Sequence, residues 1–204
     1  MEFKISREFL SEIEQLISEN KAQELLLLLE DIHFADIAEI MEELDDHGAA
    51  YIFNTLDSEK TAEILLELDD EVREKILRNL SPKEIAEELD ELSTDDAADI
   101  IAELPQHKKE QVISELEDVE HAKDIVDLLR YDEDTAGGLM GKELVKVNEN
   151  WNVLTCVKEM RLQAENVSRV HSIYVIDDEE RLKGRLSLKD LLTTSTKTPI
   201  SDVY

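Results

Sequence analysis

Cysteine is almost missing from this chain, with Cys156 the only one among 204 residues. No internal disulfide can form, and nothing points to an oxidising compartment. Cys156 lies in the amphipathic run 153–160 and reads as a small core residue. Proline (three) and glycine (five) are scarce, so few breaks interrupt the periodic segments. Aromatic residues make up 4% of the chain, too few for a stacking ladder on which bases could lie. The longest apolar run is Leu25–Leu29, far short of the roughly 18–20 residues a membrane helix needs. The amino terminus, MEFKISREFLSEIEQL, lacks the basic and apolar regions of a signal peptide. The chain as it stands is expected to be soluble and intracellular.

Basic residues are also few. Lysine and arginine number 22 against 51 acids, for a net charge of −29. Residues 1–134 hold 41 acids and 12 bases, and residues 135–204 hold ten of each. The whole excess sits in the first part. Such a polyanion repels nucleic acid and attracts cations. Catalytic signatures are missing too. There is no phosphate-binding loop, nucleophile elbow or His-Glu-x-x-His, and histidines 33, 47, 107, 121 and 171 are scattered without cysteine partners. The expectation is a protein that is not an enzyme and holds no zinc.

What is present is a period. Leucine recurs every twelve residues at 44, 56, 68, 80, 92, 104, 116 and 128, and Ile32 extends the series back by one step. Alanine follows six positions earlier at 38, 50, 62, 86, 98 and 122, with Glu74 and Glu110 in the two other slots. Twelve residues make one short helix and a tight turn. AEIMEEL (38–44), AEILLEL (62–68) and AEELDEL (86–92) recur in one phase at twice that spacing, so the unit is a helix pair. Stacked pairs form an α-superhelix in which the leucine and alanine stripe is core. Ser58 and Thr94 mark turns, Pro105 opens a helix, and Ser81-Pro82-Lys83-Glu84 reads as a capping box.

Beyond Gly137-Gly138 the pattern changes. Residues 144–147 read as a strand, 153–162 as a helix, 172–176 and 182–187 as strands around a polar turn at 177–180, and 189–192 as the start of a helix. The fold class is therefore mainly α, with an α+β module of order β-α-β-β-α at the end.

Asp95, Asp96 and Asp99 form the one acidic group with a plausible chemistry. Asp95 and Asp99 are four apart on one helical face, where like charges cost about 0.2–0.5 kcal/mol. The helix dipole accounts for the first-turn pair Asp95 and Asp96, but less well for Asp99. An oxygen surface for a hard divalent cation is the sharper alternative, since magnesium usually takes one or two carboxylates and keeps its waters.

An acidic helical repeat, YDEDTAGGLM (131–140) and a β-α-β-β-α unit with GRLSLKDLL (184–192) together resemble the cytosolic half of MgtE-type magnesium transporters. The last unit resembles a CBS motif, whose G-x-x-S-x-x-D pattern stands as Gly184, Ser187 and Asp190. The resemblance implies an acidic superhelical domain at 1–130, a linker at 131–141 and a first CBS motif at 142–198. Residues 199–204 would lead into a second CBS motif that is missing here, as is the transmembrane domain. It implies Mg2+ ions bound between the acidic domain and the CBS domain, favouring a docked and closed state. Carried over by motif, the metal ligands fall on Glu63, Asp95, Asp99 and Gly138. Ser187 and Asp190 would contact ATP or another adenine nucleotide, or would only cap a helix. The expected setting is the cytoplasmic side of a membrane, with a homodimer in the whole protein. The competing reading is an acidic helical scaffold that binds proteins and carries a nucleotide-sensing CBS module.

Overall fold

A computed structural model describes residues 5–132, 134–164, 167, 170 and 172–204. His171 lies outside the described residues. The chain divides into two compact units, residues 1–140 and 141–204.

Among the described residues, the first unit forms the helices α1 (Arg7–Ser18), α2 (Ala22–Leu29), α3 (Phe34–Glu43), α4 (Asp46–Phe53), α5 (Ser58–Glu67), α6 (Asp70–Asn79), α7 (Pro82–Leu89), α8 (Thr94–Glu103), α9 (Gln106–Glu115) and α10 (Val119–Leu128). From α3 to α9 every helix starts twelve residues after the one before, and α10 starts thirteen after α9. The period in the sequence is thus one helix and its turn. Helices two steps apart pack together: α3 on α5, α5 on α7 and α7 on α9 in one row, with α4 on α6 and α8 on α10 in the other. This is why the strongest likeness in the sequence recurs at every second step and not at every one.

The periodic leucines differ from a mid-helix stripe. Leu44, Leu68, Leu80, Leu104 and Leu116 are the residues that end helices, and Leu56 and Leu92 lie in the turns. Leu68, Leu92, Leu104, Leu116 and Leu128 are buried, whereas Leu44, Leu56 and Leu80 are half-buried against the core. The helix interiors are filled by Ile37, Ile40, Ile64, Leu65, Ile85, Leu89, Ile100 and Ile101. Ala38, Ala62, Ala86 and Ala98 are buried, where a small side chain lets neighbouring helices approach.

A third periodic slot holds the residue before each helix: His33, Asp45, Asp57, Asp69, Ser81, Ser93 and Pro105. The caps of α5 and α8 are therefore Asp57 and Ser93, one residue before the Ser58 and Thr94 marked in the sequence. Asp45 accepts from the Gly48 N–H, Asp57 from Lys60 N–H and Ser81 from Glu84 N–H. Each satisfies a first-turn donor that the helix leaves open. The capping box at Ser81 is complete, with Glu84 accepting from the Ser81 N–H at 2.7 Å.

The second unit is a three-stranded sheet of β1 (Val145–Asn148), β2 (Ile173–Ile176) and β3 (Leu182–Leu186), in that order. β1 and β2 are parallel, with Val145 opposite Ile173, and the helix α11 (Val153–Gln163) lies between them in the chain. β2 and β3 are antiparallel, with Val175 opposite Gly184. Helix α12 (Leu188–Thr193) and a 3-10 turn at Ile200–Asp202 follow. Alternate residues Val145, Val147, Ile173 and Val175 point to a core shared with Val153, Cys156, Leu186, Leu191 and Ile200. Burial pushes the Cys156 thiol up to about 11, so it stays a neutral packing group.

Candidate functional site

The first unit uses several of its few cations on its own backbone. Lys60 Nζ donates to the carbonyls of Leu29 at 2.7 Å and Glu30 at 3.2 Å, where α2 ends. Lys108 Nζ donates to Leu77 and Leu80, both at 2.7 Å, where α6 ends. Lys109 Nζ reaches the Ala102 carbonyl near the end of α8 at 2.7 Å. Arg73 donates to Leu65 and Leu68 at the end of α5, and to Asp70 and Glu103. Carbonyls at a helix end lack partners within the helix and carry the negative end of its dipole, so a cation there meets both needs. The consequence is electrostatic. Cations tied to carbonyls neutralise few carboxylates, and the outward face stays acidic.

Arg73 shows the competition between these effects. Its side chain is 12% exposed. The hydrogen bond it donates to Glu103 is the largest influence and raises its pKa, which burial alone would lower. It remains a cation. With Leu66, Asp96, Asp99, Ile100 and Glu103 it lines a cavity of about 260 Å³. Glu103 pairs with Arg73 there, and Asp96 and Asp99 are the other carboxylates of the lining.

The candidate metal residues fall on two helices. Glu63 is exposed on α5, and Asp99 is exposed on α8. Asp95 and Asp96 are half-buried in the first turn of α8, and both turn back to the cap. The Ser93 hydroxyl lies 2.7 Å from Asp95 Oδ1 and 2.6 Å from Asp96 Oδ2. One hydroxyl proton serves two carboxylates, so much of the lone-pair capacity of this pair remains. Gly138 is in a short turn where its N–H donates to Thr135 Oγ1 at 3.2 Å. Among the described residues, no three carboxylate, histidine or cysteine side chains converge to hold an ion. The donors present are the hard oxygens a hydrated magnesium ion takes one or two at a time, so their chemistry fits without a preformed cage.

The neighbouring glycine has a plain steric reason. A Cβ on Gly137 would run into the Tyr131 ring. Gly184 in the second unit has the same property, since a Cβ there would meet the ring of Tyr204. The Tyr204 hydroxyl donates to Glu149 at 2.8 Å. Ser187 caps α12: its hydroxyl accepts from Asp190 N–H at 3.0 Å and donates to Asp190 Oδ2 at 2.6 Å. Both side chains are exposed.

Sequence reasoning missed the polar contact between α5 and α7. Thr61 is 1% exposed and its Oγ1 lies 2.5 Å from Glu88 Oε2. The available signal was a hydroxyl residue, one before Ala62, on a helix face otherwise filled by aliphatic side chains. Glu103 was also passed over, because its place in the cavity depends on Arg73 two helices away.

Comparison with known proteins joins these parts. The family profile described as the MgtE intracellular N domain matches residues 32–134, and that of the CBS domain matches residues 136–197. The chain is similar to the magnesium transporter MgtE of Thermus thermophilus, 41% identical over 76 residues. That stretch is 37% of this chain and 17% of the relative. It is 34% identical over 84 residues to the magnesium transporter MgtE of Enterococcus faecalis, which is 41% of this chain and 18% of the relative. The matched stretches thus cover less than a fifth of these relatives' length. Among solved structures, the cytosolic domain of the Mg2+ channel MgtE in complex with ATP matches with a TM-score of 0.85 at 32% identity. The match covers 95% of this chain and 79% of that one. The soluble part of a magnesium transporter matches with a TM-score of 0.77 at 26% identity, over 95% and 76% of the two chains. Among the described residues, no helix is long and apolar enough to cross a membrane.

Proposed function

The chain belongs to the MgtE intracellular N-domain family, and from that membership we propose that it is the magnesium-sensing regulatory region of a magnesium transporter or channel. The observation that carries this reading is the match of 95% of the chain, at 32% identity, to the cytosolic domain of a Mg2+ channel. The charge supports it independently, because the acidic excess lies in residues 1–134.

In this reading Mg2+ binds at Glu63, Asp95 and Asp99, with Gly138 contributing from the linker at 131–141. The bound ions reduce the repulsion within the acidic unit and favour its docked, closed arrangement. An ion shifts such an equilibrium only by its preference for one state. At ten times its dissociation constant, one site contributes about 1.4 kcal/mol. Moving a population from mostly open to mostly closed takes about 5.5 kcal/mol, so several weak sites act together. Hydrated ions on exposed carboxylates suit that requirement, and the response would lie in a millimolar range. Ser187 and Asp190 are assigned to an adenine nucleotide, in line with the ATP complex of the related cytosolic domain.

Small-angle X-ray scattering of this chain across a magnesium titration tests the reading, with sodium at equal ionic strength as control. Compaction with magnesium beyond the sodium response supports a sensor. Equal responses mean general screening, and would leave an acidic helical scaffold as the better description.

A further inference from the structure

The Thr61 hydroxyl on α5 has three oxygens around it. The Asp57 carbonyl is at 2.9 Å, the Ser58 carbonyl at 3.3 Å and Glu88 Oε2 at 2.5 Å. A hydroxyl has one proton to donate. The two carbonyls belong to the preceding turn, the usual acceptors for a threonine within a helix. If the hydroxyl proton goes to them, the contact with Glu88 requires a proton from Glu88 itself. An O···O separation of 2.5 Å belongs to the short, strong class of O–H···O bonds.

Apart from the Thr61 hydroxyl, the nearby groups give a negative charge on Glu88 little support. The charges that act on it are Glu87 on the same helix, Glu91 just beyond its end and Asp57 at the cap of α5, all acidic. Lys60 on α5 is held at the carbonyls of Leu29 and Glu30. On α9, packed against α7, Lys108 and Lys109 are held at helix-end carbonyls as well. The charged residues of α3, packed against α5, are Asp36, Glu39, Glu42 and Glu43. On α10, a ring nitrogen of His121 lies 3.2 Å from the Leu89 carbonyl, one residue from Glu88. Burial is the largest influence on the Glu88 carboxyl and pushes it up to about 7, with the Thr61 hydrogen bond working in the other direction.

We propose that Glu88 carries a proton that fastens α7 to α5 through Thr61, and that losing this proton loosens the two helices. The direction follows from linkage. The folded carboxyl holds its proton more tightly than the unfolded one, so its contribution is complete below the ordinary glutamate range and fades as pH rises through about 7. The clasp is independent of whether Glu63, on the exposed side of α5, binds an ion.

The test is the carboxyl carbon resonance of Glu88 in the full chain, together with amide protection factors in α5 and α7 between pH 5.5 and 8.5. We expect a midpoint near neutrality and a loss of protection of roughly tenfold over that range. In Glu88→Gln, whose amide can donate to Thr61 at every pH, protection should stay level. A midpoint in the usual carboxylate range would overturn the proposal. So would an equal loss of protection in Glu88→Gln, which would assign the effect to His121. The resonance of the unaltered chain decides the matter even if the variant folds poorly.

Discussion

The ammonium group of Lys108 lies 2.7 Å from the carbonyl oxygen of Leu77, 31 residues back in the chain. Lys60 stands in the same relation to Leu29, also 31 residues back and also at 2.7 Å. The two lysines stand two full helix pairs apart, so the repeat carries a tertiary contact as well as a hydrophobic pattern. The intermediate position is Glu84, which instead completes the capping box of its own helix.

Lys108→Met should destabilise the first unit by about 1–2 kcal/mol, because it keeps the stem but removes a charged donor from two carbonyls. Burial already lowers the pKa of this lysine, with Glu84 opposing, so the amine is partly withdrawn from water. Lys83→Met is the control. Its ion pair with Glu87 is exposed, and its loss should cost under about 0.5 kcal/mol. Denaturant unfolding of both variants against the parent measures the difference.

The triple substitution Glu63→Gln, Asp95→Asn and Asp99→Asn should leave the fold intact, since Glu63 and Asp99 are exposed and Asp95 is half-buried at a helix start. Removing three like charges from a polyanion reduces its self-repulsion. The midpoint of magnesium-induced compaction should rise several-fold. An unchanged midpoint would remove these three carboxylates from the ion-binding surface.

Ser187 and Asp190 separate cap from ligand site. Ser187→Ala should cost about 1 kcal/mol by removing the cap of α12. Asp190→Ala retains the Ser187 hydroxyl as acceptor for the residue 190 N–H. If the pair contacts nucleotide, Asp190→Ala weakens ATP binding by more than tenfold in equilibrium dialysis although the cap is kept. Equal ATP binding by Asp190→Ala and the parent would leave these residues a purely structural role.

Much of the fold was legible because local and tertiary signals share one period. The twelve-residue spacing showed helix and turn, and the likeness at twice that spacing showed the row in which each helix packs. The β-α-β-β-α order was equally readable from the largely apolar runs at 144–147 and 172–176, each within one residue of the strand that forms there. The capping residues were less so. Asp57 and Ser58, like Ser93 and Thr94, are adjacent residues of capping type, and only the backbone decides which stands outside the helix. The leucines illustrate a different limit: a residue at a turn can recur as regularly as one in a helix centre. Contacts such as Thr61 with Glu88, or Arg73 with Glu103, join side chains 27 and 30 residues apart. Such pairs follow from the stacking of rows, and no window along the sequence displays them.

The two-row arrangement imposes a parity on changes of length. Adding or deleting two whole periods would return every later helix to its own row, with its buried face and its carbonyl-seeking lysine still correctly addressed. A change of one period would exchange the rows for the rest of the unit, setting alanine slots against the wrong neighbours. Growth or shortening of this domain is therefore open in steps of one pair and closed to steps of a single helix.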